Sequence, residues 1–95
     1  MRGALTYPAY KARLSAVIAL YNLAKQDSSL ETLVVRDLLG MLKDEDASVR
    51  LLATYALSKL RATIGIQYIK EAISTTNDDK RKALIGRYLH ELEQG

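Results

Sequence analysis

The sequence predicts an all-α chain of stacked helix pairs, and three observations carry that reading. Nearly every stretch between turns sets apolar residues three or four apart, the spacing of a helix face and not the alternation of a half-buried strand. Pro8 is the only proline and there are five glycines, so long segments run without a breaker. The third observation is self-similarity. Ala12–Leu23 overlays Val49–Leu60 without a gap, placing Arg13 on Arg50, Leu14 on Leu51, Ala16 on Ala53, Ala19 on Ala56, Leu20 on Leu57 and Leu23 on Leu60. A period of that length marks a repeat whose units cannot bury their apolar faces alone and so stack on one another.

The elements follow in order. A first helix is expected to begin near Pro8, a residue suited to a first helical turn, with Thr6 or Tyr7 as its boundary. It should run to about Gln26 and bury Ala12, Ala16, Ala19, Leu20 and Leu23. Ser28-Ser-Leu-Glu31 reads as a capping box, the Ser28 hydroxyl accepting from the Glu31 amide, and opens a second helix reaching about Lys43. That helix is apolar around most of its circumference, so it needs cover on more than one side. Asp46 should cap a third helix burying Val49, Leu52, Ala53, Ala56, Leu57 and Leu60, the alanines allowing close approach of a neighbour. Arg61–Gly65 joins it to a fourth helix with Ile66, Ile69, Ala72 and Ile73, which ends at Ser74–Asn77. Asn77 or Asp78 then caps a last helix to about Glu93, which overlays the third through Asp46 on Asp78, Arg50 on Lys82, Leu57 on Leu89 and Leu60 on Leu92. The organisation is one domain over residues 1–95, a lone inner helix followed by two helix pairs. Short joins make successive helices antiparallel.

Composition excludes several classes. At 95 residues and 48% hydrophobic the chain builds one small core. Without cysteine there is no disulfide framework, thiolate ligand or cysteine nucleophile, and a reducing cytoplasmic setting is the expectation. No apolar run reaches the roughly 20 residues of a membrane span, and the first residues lack the apolar stretch of a secretion signal. The net charge of +3 arises in the second half, where residues 49–95 carry eight Lys or Arg against five Asp or Glu. Lys80-Arg81-Lys82 holds most of that excess, and it follows Asp78 and Asp79 directly.

Leu38 to Leu57, with its leucine row, the acidic turn Asp44-Glu45-Asp46, the Val49-Arg50 pair and then Ala53 and Ala56-Leu57, resembles a HEAT repeat, particularly the short form named for phycobilisome lyases. Residues 30 to 61 carry the resemblance most fully, residues 9 to 24 its second half, and residues 64 to 93 a fainter copy. It implies a right-handed α-solenoid superhelix of about five antiparallel helices, two full repeats plus a leading half repeat. Outer helices would lie on the convex side and inner helices on the concave side, and the module would act in protein binding. It also implies a ladder between the turn Asp and the inner-helix Arg, here Asp44 with Arg13 or Arg50. Tyr7 and Thr76 stand where further acids would continue the ladder, which limits it to one acidic rung. No lyase activity is implied, because the motif is shared with many proteins that are not enzymes.

Inner-helix positions one step off the buried stripe should face the concave surface. These are Leu14, Ile18 and Tyr21 on the first inner helix, Leu51, Tyr55 and Ser58 on the second, and Ala83, Arg87 and His90 on the third. Leu14, Ile18, Tyr21, Leu51, Tyr55, Ser58 and Arg87 are therefore the candidate partner-binding residues, since apolar and tyrosine-rich grooves suit peptide or helix recognition. The competing account is that they pack within the stack or cover a neighbour in a homodimer. The first helix has no partner ahead of it, so its bare face is a second route to self-association. Lys80, Arg81, Lys82 and Arg87 form the basis of an alternative, nucleic-acid binding, for which base stacking would fall to tyrosines. His90 stands as a solvated surface residue, and the acidic turn lacks the Gly and ligand spacing of a calcium loop. No phosphate loop, nucleophile elbow or His-Glu-x-x-His motif occurs, so no catalytic, cofactor or metal residue is assigned.

Overall fold

The computed structural model describes residues 9–94, with side chains from Lys11 onward. Among these residues there are five α-helices and no strand: α1 (Ala9–Gln26), α2 (Glu31–Met41), α3 (Ala47–Lys59), α4 (Ile66–Ser74) and α5 (Asp79–Gln94). Short 3-10 turns, Ser28–Leu30 and Thr63–Gly65, lead into α2 and α4. The expected boundary at Thr6 or Tyr7 lies outside the described residues, while the end of α1 at Gln26 is where the periodicity places it.

Capping explains where the helices begin. Asp46 has extended backbone, and its Oδ1 accepts from the amides of Ser48 at 2.8 Å and Val49 at 3.3 Å. Asp78 Oδ1 accepts in the same way from Lys80 at 2.9 Å and Arg81 at 3.2 Å, choosing Asp78 over Asn77 as the cap of α5. Each satisfies amides that a first turn leaves without an acceptor. The Ser28–Glu31 capping box does not form. Asp27 caps the turn one residue earlier, its Oδ1 accepting from the Ser29 amide at 3.0 Å and the Ser29 hydroxyl at 2.6 Å. A carboxylate is the stronger acceptor, and once Asp27 holds Ser29 the chain winds a 3-10 turn where the box would have started a helix.

The helices lie in two layers. α3 packs against both α1 and α5 to form the inner layer, and α2 packs on both α1 and α3 from the outer side. α4 packs on α5 and reaches α3 through the turn that precedes it. The Cα positions extend 46 × 34 × 16 Å, and the short dimension is that of two helix layers about 10 Å apart. α1 and α3 run in one direction, because Leu14 meets Leu51 and, further along, Tyr21 meets Tyr55. α5 follows suit, with Arg81 on Ser48 and Tyr88 on Tyr55. Successive helices within a pair are thus up-and-down neighbours.

Val49, Ala53 and Leu57 of α3 are at zero exposure, as are Leu38 of α2, Ile69 of α4 and Ile85 of α5. Full burial of such a side chain contributes about 1.5–3 kcal/mol. Because α3 is covered on both sides, it also buries the polar Arg50, Thr54 and Ser58, which its apolar periodicity does not announce. Among the described residues α1 is covered on one side only, and here the structure corrects the expected stripe. Val17 and Ala24 are its buried residues, Ala16 and Leu20 are half-buried, Ala12 and Ala19 are exposed, and Leu23 is 45% exposed. Among the described residues, the equivalent positions of α3 are covered by α5 as well as by α1 and α2, whereas α1 meets only α2 and α3. The same open flank leaves Leu33 of α2 exposed, despite the expectation of cover on more than one side.

Candidate interaction surface

The inner face is built from α1, α3 and α5. Leu14, Ser48, Leu51, Leu52, Tyr55 and Tyr88 line a hollow of about 340 Å³. Directly beside it, Val17, Ile18, Tyr21, Asn22, Leu52, Tyr55 and Ala56 line a second of about 220 Å³. The two share Leu52 and Tyr55, so together they form one groove between α1 and α3. Five of the expected contact residues, Leu14, Ile18, Tyr21, Leu51 and Tyr55, therefore stand on a single face. Ile18 is 50% exposed, which leaves a large aliphatic side chain facing water.

Tyrosines run across this face. The Tyr21 and Tyr55 rings lie 6.5 Å apart in a tilted arrangement, and Tyr55 and Tyr88 lie 5.2 Å apart edge to face. Edge-to-face pairs at such distances contribute about 0.5–1.5 kcal/mol beyond the area they bury, so the row also ties the three inner helices together. Lys25 stands over the Tyr21 ring at 5.9 Å and Lys59 over the Tyr55 ring at 5.3 Å, one turn after each tyrosine.

Two expected residues fall elsewhere. Ser58 is only 5% exposed, because α3 is packed on both sides, and little of it remains to meet a partner. Arg87 is exposed but holds Glu91 at 3.8 Å along its own helix, and the α5 residue beside Tyr55 is Tyr88. Equating Tyr55 with Arg87 by overlaying α3 on α5 hides Tyr88. The near-equal spacing of Tyr21, Tyr55 and Tyr88 was the available signal.

Behind the face, arginines join the layers. Arg13 Nη2 donates to Asp44 Oδ1 at 3.1 Å, and its Nε sits 2.5 Å from Oδ2, off the line of a hydrogen bond. The hydrogen bond to Asp44 is the main reason the Arg13 guanidinium is held above its ordinary pKa. Arg50, equivalent to Arg13, repeats the arrangement one layer on with Thr76 in place of the acid. Its Nη2 and Nε donate to Thr76 Oγ1 at 3.2 and 3.3 Å, its Nη2 to the Thr75 carbonyl at 3.4 Å, and its Nη1 to the Asp44 carbonyl at 2.6 Å. The ladder has an acidic rung at Asp44 and a hydroxyl rung at Thr76. Tyr7, the other position named for it, lies outside the described residues.

The basic run does not make one patch. Consecutive residues point about 100° apart on a helix, and Arg81 is turned inward, its Nε donating to Ser48 Oγ at 2.9 Å and its Nη1 pairing with Asp78. Lys80 and Lys82 are exposed. The amide of Arg81, with its side chain and the Lys80 amide, holds the Asp78 carboxyl below the usual range, as the Ser29 hydroxyl and amide do for Asp27. Among the described residues no group of three His, Cys, Asp or Glu is placed to hold a metal ion, and no helix is long and apolar enough to cross a membrane.

No curated protein and no solved structure shows significant similarity to the chain. The family comparison falls on the stretch where an outer helix, an acidic turn and an inner helix pack as one unit and where Asp44 receives both arginines. Residues 34–60 match the model of the HEAT repeat.

Proposed function

We propose that the chain is a non-enzymatic protein-interaction or scaffold module, a HEAT-like α-solenoid in one domain that works through its inner-helix face. The HEAT match at residues 34–60 and the five helices support this reading, in which a right-handed superhelical stack would make that face concave. A cytoplasmic setting accompanies a chain that uses no cysteine. Partner contact falls to Leu14, Ile18, Tyr21, Leu51 and Tyr55, with Tyr88 added and Arg87 at the margin.

One observation carries this reading: apolar and aromatic side chains line two adjoining hollows above the core, with Ile18 half in water. Leaving such surface wet forgoes the stabilisation its burial would give, and contiguous patches of this kind mark interaction sites. Buried aromatic anchors dominate most interfaces, so Tyr55, at the junction of the two hollows, should dominate this one. The nucleic-acid alternative, through Lys80, Arg81, Lys82 and Arg87, has less behind it, since Arg81 is engaged by Asp78 and Ser48 and Arg87 by Glu91. Self-association through the open flank of α1 remains compatible with the same face being used for a partner.

The test is capture of partners from the source cell by the wild-type chain and by Tyr55→Ala and Ile18→Ala. A partner held by the wild type and lost by at least one variant supports the assignment, and a partner held equally by all three refutes it. Light scattering over a concentration range reports the oligomeric state, and a strict monomer would remove self-association from the proposal.

A further inference from the structure

We infer that the inner-face groove takes an acidic amphipathic helix of another protein. This rests on the interaction function proposed above and names its partner class. Leu14, Ile18 and Tyr21 fall at i, i+4 and i+7 of α1 and face Leu51 and Tyr55 of α3. The apolar floor is thus about two turns long, roughly 10 Å. That is the length over which a helix laid in a groove sets its own anchors at i, i+3 or i+4 and i+7.

The groove ends in charge. Lys25 and Lys59 follow their tyrosines on the same face, and among the described residues neither has a carboxylate partner. Most of the chain's acids are committed elsewhere: Asp27, Asp46 and Asp78 cap helix starts, Asp44 holds Arg13, and Glu91 and Glu93 of α5 pair with Arg87 and Lys70, while Glu45 lies in the turn before α3 and Asp79 in the first turn of α5. Glu31, Asp37 and Glu71 stand on the outer helices. The complement of this groove is therefore a helix with a two-turn apolar stripe followed by carboxylates. A second copy docked face to face with its helices parallel would set lysine against lysine, which like charges oppose. A nucleic acid would answer the lysines and leave Leu14, Ile18 and Leu51 with no apolar counterpart.

The experiment uses fluorescence anisotropy on the full chain at low and physiological salt. One probe is a labelled alanine-based helix of about 14 residues with Leu at i, i+4 and i+7 and Glu at i+10 and i+11; a second has Lys for each Glu; a third is a labelled mixed-sequence DNA duplex. The Glu helix should bind at least about tenfold more tightly than the Lys helix, a difference of about 1.4 kcal/mol. Both lysines are exposed, so their variants should keep the fold, which circular dichroism checks. Lys25→Glu combined with Lys59→Glu should invert the preference, and Lys25→Gln with Lys59→Gln should abolish it. No binding of the Glu helix at low salt overturns the inference. Equal binding of the two helices overturns the acidic partner while the surface stands, whereas wild-type binding of the Glu helix by Tyr55→Ala overturns the surface itself. Tighter binding of the duplex, lost with the lysines, overturns it in favour of nucleic acid, and self-association that the Glu helix displaces overturns it in favour of a second copy.

Discussion

Replacing Thr76 by valine should destabilise the protein out of proportion to the single hydroxyl removed. Thr76 is 2% exposed, and its Oγ1 accepts from Nη2 and Nε of Arg50 while donating to the Ala72 carbonyl at 2.7 Å. Ala72 loses little, because its carbonyl also accepts from the Thr75 hydroxyl at 3.0 Å. Arg50 loses the one oxygen that accepts from both its Nε and its Nη2, and Nη2 keeps only the Thr75 carbonyl at 3.4 Å. Arg50 is 7% exposed and makes no ion pair among the described residues, so the freed Nε has little water to turn to. Leaving a buried charged donor unpaired costs about 1–3 kcal/mol. The 3.2 and 3.3 Å distances are long for such bonds, which places the loss at about 1–2 kcal/mol and the fall in Tm at roughly 5–15 °C. Thr54→Val is the control. Thr54 is equally buried, but its hydroxyl donates at 2.9 Å to the Arg50 carbonyl, which sits within the helix backbone ladder, so its loss strands no charged donor and should cost less than about 0.5 kcal/mol. Thr76→Asp, which repeats the Asp44 rung, should hold Tm at or above wild type at neutral pH. Thermal and urea unfolding followed by circular dichroism measure all three. Equal losses for Thr76→Val and Thr54→Val would refute the claim that Arg50 depends on this hydroxyl.

Further predictions concern the core, the helix interiors and pH. Leu57→Ala removes a side chain at zero exposure and should cost about 2–5 kcal/mol, whereas Leu23→Ala, at a site 45% exposed, should cost under about 1 kcal/mol; comparable losses in urea unfolding would mean that the α1 flank is covered. Gly86 lies inside α5 with nothing within 4 Å of where a Cβ would sit, so Gly86→Ala should stabilise by about 0.5–1 kcal/mol, and a lower Tm would show a clash. Arg61 holds φ at 59° just past α3, where its amide donates to the Ser58 carbonyl and the Ala62 amide to that of Leu57. Glycine relieves the positive φ at this helix-ending position, so Arg61→Gly should melt a few degrees above Arg61→Ala, which loses the same side chain without that relief, a difference calorimetry would detect. Asp27 and Asp78 have folded pKa values below the ordinary 3.8. A lowered folded pKa means that each cap contributes in full above the ordinary 3.8 and loses its contribution as pH falls from there through the folded pKa. Wild type should therefore lose more stability than Asp78→Asn between about pH 5 and pH 3, and parallel pH profiles would count against the cap.

Helix existence and most helix starts are legible in the residues, because caps and apolar spacing act over three or four positions. Asp46 and Asp78 cap as their place before an apolar run indicates, and Arg13 and Arg50 take equivalent roles one layer apart. Even locally, competition matters: Ser28 and Asp27 could both serve the second helix, and the stronger acceptor won. That Leu14, Ile18, Tyr21, Leu51 and Tyr55 share one face was legible from their spacing. The third helix of that face was not, because repeat overlay assigns positions by equivalence whereas rings meet according to how one helix is rotated against the next.

What the sequence determined by itself is the set of helices, their order and their repeating character, since these depend on short-range spacing and on a pattern that recurs along the chain. Only the tertiary structure decided how much of each stripe is covered, that Tyr88 completes the aromatic row, and that a hydroxyl stands in for the acid beside Arg50. Periodicity says which side chains share a face of a helix. Burial and pairing belong to two elements at once, and α1, with the same stripe as α3 but fewer neighbours among the described residues, leaves Ala12, Ala19 and Leu23 in water.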